Sequence, residues 1–147
     1  MASELKECSV LPEKMGCFSL YSAANAMVRA YRPVLDELDL TYPQYLAMMV
    51  LWANDAVNVK TLGEQLHMDS GTTTPLLKRM EAKGLVTRER CKQDERSCIV
   101  CLTPKGRSLE CLSRKVQDSM TCNSPLSDDE KQTLKQLCDK LFLGLRS

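Results

Sequence analysis

Aromatic residues are scarce in this chain. They fill 5% of its 147 positions while the broad hydrophobic class fills 44%. Leucine and methionine must therefore do most of the packing, which leans towards a helix-rich fold. No run of about 18 apolar residues occurs, which excludes a membrane-spanning helix. The opening segment, MASELKECSV, carries acidic residues and lacks a basic patch followed by an apolar core. It does not read as a secretory signal, so a cytoplasmic location is expected. Internal repeats and low-complexity stretches are missing too. Histidine occurs once, as His67. The one Cys-x-x-Cys spacing, Cys98 to Cys101, falls on a strand pattern whose alternation points the two side chains to opposite faces. No second such pair accompanies it, so neither a zinc site nor any other metal or cofactor is expected.

What the chain does have is cysteine, eight of them. In a reducing compartment most are expected to be free thiols used as packing, with reactivity decided one residue at a time. Charge is the second positive feature, and the net +1 conceals its distribution. Between Asp69 and Arg107 there are nine basic and five acidic side chains, a net of +4, so the rest of the chain sums to −3. A local basic segment with acidic flanks is how a nucleic-acid contact can sit inside a near-neutral protein.

The length suits a single domain spanning 1–147. Apolar or weakly polar residues at Cys17, Leu20, Tyr21, Ala24, Val28, Tyr31, Leu35 and Leu38 mark one face of a long helix over 13–38. Pro12 suits its start, and Pro33 permits a kink or break near Arg32. Thr41-Tyr42-Pro43 opens a second helix and Asn58-Val59-Lys60 a short third one. Asp69 or Ser70 caps a fourth, which ends at Gly84. The period then changes: Leu85–Cys91 and Ser97–Leu102 read as two strands around the charged tip Lys92–Arg96. Thr103 opens a helix running to about Met120, and the Ser127–Glu130 capping box opens the last, to about Leu145.

That order is mainly α with a small β-hairpin wing, a winged helix-turn-helix over 42–102. Its second helix can enter a major groove and present its N-terminal side chains to base edges. Here these are Ser70, Thr72, Thr73 and Thr74, short hydroxyls able to bond phosphates or bases, with Lys78 and Arg79 further along. Arg96 at the wing tip can reach a narrow minor groove, with Asp94 close enough in sequence to orient it. A serine- and threonine-rich helix start is also ordinary capping, and a charged hairpin tip is often merely solvated. It is their occurrence together, inside the basic segment, that favours double-stranded DNA as partner.

The stretch DSGTTTPLLKRMEAKGLVTRERCKQDERSCIVCLTPKG, Asp69–Gly106, resembles the recognition helix, wing and following helix start of the MarR family of dimeric transcription regulators. More narrowly, CFSLYSAANAMVRAYRPVLDELDLTYPQYLAMMVLW, Cys17–Trp52, is similar to the organic-hydroperoxide-sensing OhrR-type repressors. The resemblance implies a homodimer whose helical regions, 13–38 and 103–145, interlock and set two winged regions side by side on a pseudo-palindromic operator. It implies that reduced protein represses and that oxidation of Cys17 by an organic hydroperoxide releases the DNA.

A sensor cysteine reacts as thiolate and needs access. By resemblance, Tyr31 and Tyr42 donate hydrogen bonds to the sulfur and stabilise its charged form. Tyr31 lies fourteen residues beyond Cys17, about 20 Å along a straight helix, so these phenols must come from the other subunit. Phe18, Tyr21, Met48 and Trp52 are candidates for an apolar pocket selecting alkyl hydroperoxides, or are simply core. The resemblance also implies a resolving cysteine at the end of the fifth helix, where Cys122 stands, giving an inter-subunit Cys17–Cys122 disulfide. Cys8 and a small-thiol cap are alternatives, and Cys91 and Cys98 flank the wing closely enough to pair under strong oxidation. Cys111, Cys138 and His67 read as structural. Two rival functions stay open: a regulator of this fold released by a small aromatic ligand, and a thiol peroxidase. Against the second, nothing supplies another catalytic group, so an enzyme is not expected.

Overall fold

The computed structural model describes residues 11–146, which leaves Cys8 outside the described residues. Pro12 does not open the first long helix. It opens a short 3₁₀ turn of its own, Pro12–Lys14, after which Met15 is extended and α1 runs from Gly16 to Glu37. Cys17 is therefore in the first turn of α1, nearer the helix end than the sequence pattern suggested. Pro33 lies inside α1 without ending it.

Local signals account for most of the remaining boundaries. The Thr41 hydroxyl accepts from the Gln44 amide and the Gln44 side chain accepts from the Thr41 amide, a reciprocal cap that starts α2, Tyr42–Ala53. The Asn58 side chain caps α3, Val59–Gln65. Asp69, not Ser70, caps α4, Ser70–Ala82, accepting from the Thr72 amide at 2.8 Å. Gly84, with φ +72°, takes the left-handed position beyond the end of α4, and the Leu85 amide reaches back to the Met80 carbonyl at 3.0 Å. Ser127 and Glu130 close the cap that opens the last helix, α7, Asp128–Leu145.

Two features depart from the sequence pattern. A two-residue strand, β1, Val57–Asn58, adds to the hairpin of β2, Val86–Arg90, and β3, Cys98–Leu102. The sheet is antiparallel in the order β1-β3-β2, with Val57 opposite Val100 and Arg90 opposite Cys98. The expected helix from Thr103 is also divided at Leu109 into α5, Pro104–Ser108, and α6, Glu110–Cys122. Gly106 of α5 sits so close to β2 that a Cβ there would lie 2.1 Å from the Leu85 carbonyl oxygen. Only glycine permits that approach.

The core lies within the winged part. Leu35 of α1, Tyr45, Met48 and Leu51 of α2, Leu77 and Met80 of α4, Val100 of β3 and Val116 of α6 are all fully or nearly fully buried. Each large aliphatic side chain so buried contributes about 1.5–3 kcal/mol. α7 contributes none. Among the described residues, every exposed large apolar side chain except Met49 lies between Leu11 and Val28 or between Leu126 and Leu145. No helix of the described residues is long and apolar enough to cross a membrane.

Candidate redox site and nucleic-acid interface

The α3–α4 pair and the β2–β3 wing form one face. At its centre, Ser70 and Thr72 are exposed in the first turn of α4, Thr74 is half-buried, and Lys78 and Arg79 are exposed further on. Thr73 departs from the sequence expectation of a DNA contact. It is 1% exposed, its hydroxyl donates to the Asp69 carbonyl at 2.8 Å, and Gly63 of α3 packs against it so tightly that a Cβ would sit 2.9 Å from its oxygen. Thr73 is the contact across which the two helices cross, and its hydroxyl is spent inside.

Asp94 does meet Arg96, through the backbone. Its carboxylate accepts from the Arg96 amide at 3.0 Å, and its carbonyl accepts from the Ser97 amide at 2.9 Å. The aspartate thus folds the wing tip and leaves the guanidinium free to solvent. Between α3, the start of α4 and the wing lies a cleft of about 430 Å³, edged by Lys60, Ser70, Arg96 and Cys98. Asn58 spans it, donating to the Ser97 hydroxyl. Lys60 and Asn58 escaped the sequence reading because β1, which brings them under the wing, has no pattern of its own.

Two clamps hold this face to the rest. Arg88 of β2 donates to one Glu81 carboxylate oxygen from Nε at 3.0 Å and from Nη2 at 2.8 Å, while its amide donates to the other oxygen. The Arg88 side chain, by these bonds, holds the Glu81 carboxyl below its ordinary range. Asp55 accepts from the Leu102 and Ala56 amides, both at 2.8 Å, and pairs with Arg107 of α5. Burial works against the Asp55 charge, but these two amides and the guanidinium outweigh it, and its carboxyl also lies below the usual value.

On the other side of the molecule, Cys17 is exposed. No side chain caps α1, and the positive end of the helix dipole favours an anion in that first turn. Its own tyrosines are far away: Tyr31 follows it by fourteen residues on an unbroken helix, about 21 Å of rise. The structure does bring Tyr31 and Tyr42 together, with ring centroids 5.0 Å apart. It adds a third phenol, Tyr45, whose ring is 6.2 Å from Tyr31. Burial, then the neighbouring Tyr42 and Tyr45, pushes the Tyr31 hydroxyl above its ordinary pKa.

The four residues considered for a peroxide pocket do not meet within one chain. Phe18 and Tyr21 are exposed on the half of α1 that extends past the core, whereas Met48 is inside the core at 0% exposure. Trp52 is half-buried, and its indole N–H donates to the Gly106 carbonyl at 3.0 Å. Beside Tyr31 lies a groove of about 670 Å³ between α1, α6 and α7, lined by Met27, Gln117, Met120, Leu134 and Cys138 among others.

Cys122 is exposed at the last residue of α6. The wing cysteines are not disposed to pair. The Cys91 amide bonds the Ser97 carbonyl while Arg90 faces Cys98, so Cys91 and Cys98 fall on opposite faces of the hairpin, contrary to the sequence expectation. Cys98 and Cys101 face opposite ways on β3 for the same reason, and burial raises the pKa of the Cys101 thiol. Cys111 donates to the Ser108 carbonyl. His67, at φ +55° in the α3–α4 turn, packs its ring 4.0 Å from that of Phe142 of α7. Among the described residues no cluster of three or more histidine, cysteine or acidic groups is placed to hold a metal.

Residues 29–111 match the family model described as transcriptional regulator SarA/Rot. The organic hydroperoxide resistance transcriptional regulator of Bacillus subtilis (strain 168) is 45% identical over 135 residues, covering 92% of this chain and 90% of that protein. The chain belongs to the MarR family, in the organic-hydroperoxide-regulator branch. It is a winged-helix transcription regulator and not an enzyme. Solved MarR-type structures agree in fold. Reduced AbfR bound to DNA, a Staphylococcus epidermidis protein, superposes with a TM-score of 0.76 at 31% identity, over 88% of this chain and 89% of that one. Disulfide-formed AbfR superposes less well, with a TM-score of 0.65 at 30% identity over 89% and 90%. The geometry described above thus lies nearer the reduced, DNA-bound arrangement.

Proposed function

We propose that this regulator is a homodimeric repressor that holds a pseudo-palindromic operator while reduced and releases it when Cys17 is oxidised by an organic hydroperoxide. The observation that carries this reading is the position of Cys17. It is exposed in the first turn of an apolar arm that nothing covers, an unbroken helix away from the phenols of its own chain. A second copy that covers the apolar faces of α1 and α7 brings its Tyr31 and Tyr42 to this sulfur. Residues 13–38 and 103–145 then form the dimerisation region, and two copies of 42–102 address half-sites about one helical turn apart.

The chemistry balances without a cofactor. The Cys17 thiolate attacks the hydroperoxide oxygen, becoming a sulfenic acid as the alcohol leaves. The Cys122 thiol of the second copy then displaces water to form an inter-subunit disulfide. The sulfurs must approach within disulfide range for this to occur, which shifts α6 against α1 and moves the two wings off the operator spacing. Phe18 and Tyr21 of one copy, beside the groove of the other, supply the apolar surface for an alkyl chain. On the DNA side, Ser70, Thr72, Thr74, Lys78 and Arg79 meet the major groove, and Arg96, placed by Asp94, the minor groove. One equivalent of cumene hydroperoxide followed by a non-reducing gel tests the disulfide: a covalent dimer that disappears in Cys17→Ser and in Cys122→Ser supports it. A dimer surviving in Cys122→Ser transfers the role to another cysteine. Release with no covalent dimer assigns resolution to a small thiol.

A second reading is favoured by the groove of about 670 Å³ beside Tyr31, which has room for a small aromatic ligand. Ligand-driven release would persist in Cys17→Ser.

A further inference from the structure

Among the described residues, one buried side-chain polar atom stands without a hydrogen-bond partner, the hydroxyl oxygen of Tyr45. The residue is 2% exposed. Such a hydroxyl destabilises the state that contains it, and a phenylalanine would avoid the penalty. The ring is fixed by packing: Tyr31 lies 6.2 Å away on one side and Trp52 6.3 Å away, edge-on, on another. Only the O–H rotor is free. Tyr42 and Tyr45 are three residues apart in α2 and so share a face of it, and Tyr31 of α1 packs against both. Tyr42 and Tyr45 both press on the ionisation of Tyr31, so the three phenol oxygens lie within electrostatic reach of one another.

We propose that Tyr45 is a positioning residue of the sulfur site: when the Cys17 thiolate of a second copy docks on the Tyr31 hydroxyl, the Tyr45 hydroxyl turns to donate to the Tyr31 oxygen. This deepens the sensing reading above and rests on it. A phenol that donates to an anion becomes a better acceptor, and one that accepts becomes a better donor, so the two bonds strengthen each other. The hydroxyl left over in the single chain gains its partner only when an anionic sulfur is in place. Its effect is to favour thiolate over thiol at Cys17 by acting through Tyr31. The competing acceptor is the Gln117 side chain of α6, which opposes the upward push of burial on the Tyr45 hydroxyl.

The test is the pH dependence of Cys17 alkylation in the intact reduced protein, read from the mass of the Cys17 peptide. Tyr45→Phe is expected to move the midpoint up by about half a pH unit, and Tyr31→Phe by about a full unit. Tyr45→Phe is also expected to melt no lower than wild type, since it removes an unpartnered hydroxyl and keeps the ring. An unmoved midpoint in Tyr45→Phe alongside a shifted one in Tyr31→Phe overturns this inference and leaves the sensing reading intact. Unmoved midpoints in both overturn the phenol site itself. A shift in Tyr45→Phe with none in Tyr31→Phe overturns the action through Tyr31. A Gln117→Leu variant whose midpoint rises as in Tyr45→Phe assigns the hydroxyl to Gln117 and overturns the proposal. A fall in melting temperature for Tyr45→Phe shows that the hydroxyl is already bonded, with the same consequence.

Discussion

Between Thr41 and Arg107 the side chains are spoken for: Tyr45, Met48 and Leu77 fill a core, while Arg88–Glu81 and Asp55–Arg107 tie the wing to α4 and α5. The first half of α1 and the whole of α7 are the reverse. Leu137 is 60% exposed, Leu141 47% and Phe18 42%, and no residue of α7 is buried. The first region is finished within one chain and the second is not. In a regulator of this family, that difference separates what reads DNA from what is set by a second subunit. It also explains why the sulfur sits where it does. Chemistry on the unfinished region alters how two copies meet, whereas chemistry on the finished one would have to unfold it.

The strongest way to break this contrast is to charge the arm. Leu137→Glu with Leu141→Glu is expected to give a monomer by analytical ultracentrifugation and to lose operator binding. A dimer that persists would show that the apolar face of α7 is not the contact. The same polarity in reverse applies to the body. Gly106→Ala places a methyl against the Leu85 carbonyl, where the gap is 2.1 Å, and is expected to destabilise the fold by about 2–3 kcal/mol in urea unfolding.

Smaller changes sharpen the comparison inside the DNA-facing surface. Arg96→Ala is expected to weaken operator binding by roughly 10-fold to 100-fold, the worth of a good base contact, while Cys17 keeps its rate with hydroperoxide. Thr72→Ala and Thr73→Ala should separate cleanly. The exposed Thr72 is expected to lose operator affinity without a change in melting, and the buried Thr73 to lower the melting temperature. Identical behaviour of the two would deny the inside-outside distinction drawn for α4.

The smallest expected effect is a pH dependence. The Asp55 carboxyl is lowered from its model value of 3.8 in the folded chain, so the folded state favours its charged form. Stability from that charge is complete above the unfolded value and fades as pH falls through the folded one. Wild type should therefore exceed Asp55→Asn in stability at neutral pH, with the gap closing only below about pH 4. A gap that widens on acidification would reverse the sign.

How much of this was legible in the sequence follows from the range of each interaction. The caps at Thr41, Asp69 and Ser127 act within three residues, and they were readable as such. Gly84 was readable for the same reason, since a helix end needs a left-handed position nearby. The strand Val57–Asn58 was not, because two residues carry no period and only Ile99 and Val100 across the sheet define it. The break at Leu109 was hidden likewise, arising from the approach of Gly106 to a backbone 21 residues earlier. The three-tyrosine cluster shows both cases: Tyr31 and Tyr42 stood out by resemblance, while Tyr45 looked like core until its hydroxyl was found without a partner. The basic face was legible as a segment, but which of four hydroxyls in Ser70–Thr74 turn inward depends on Gly63 of another helix.

Operator binding by Cys17→Ser after one equivalent of cumene hydroperoxide tests the central claim most directly. The account predicts that wild type releases the operator and Cys17→Ser stays bound with its reduced affinity. Release of Cys17→Ser at the wild-type dose would contradict it and move the sensor away from the first turn of α1.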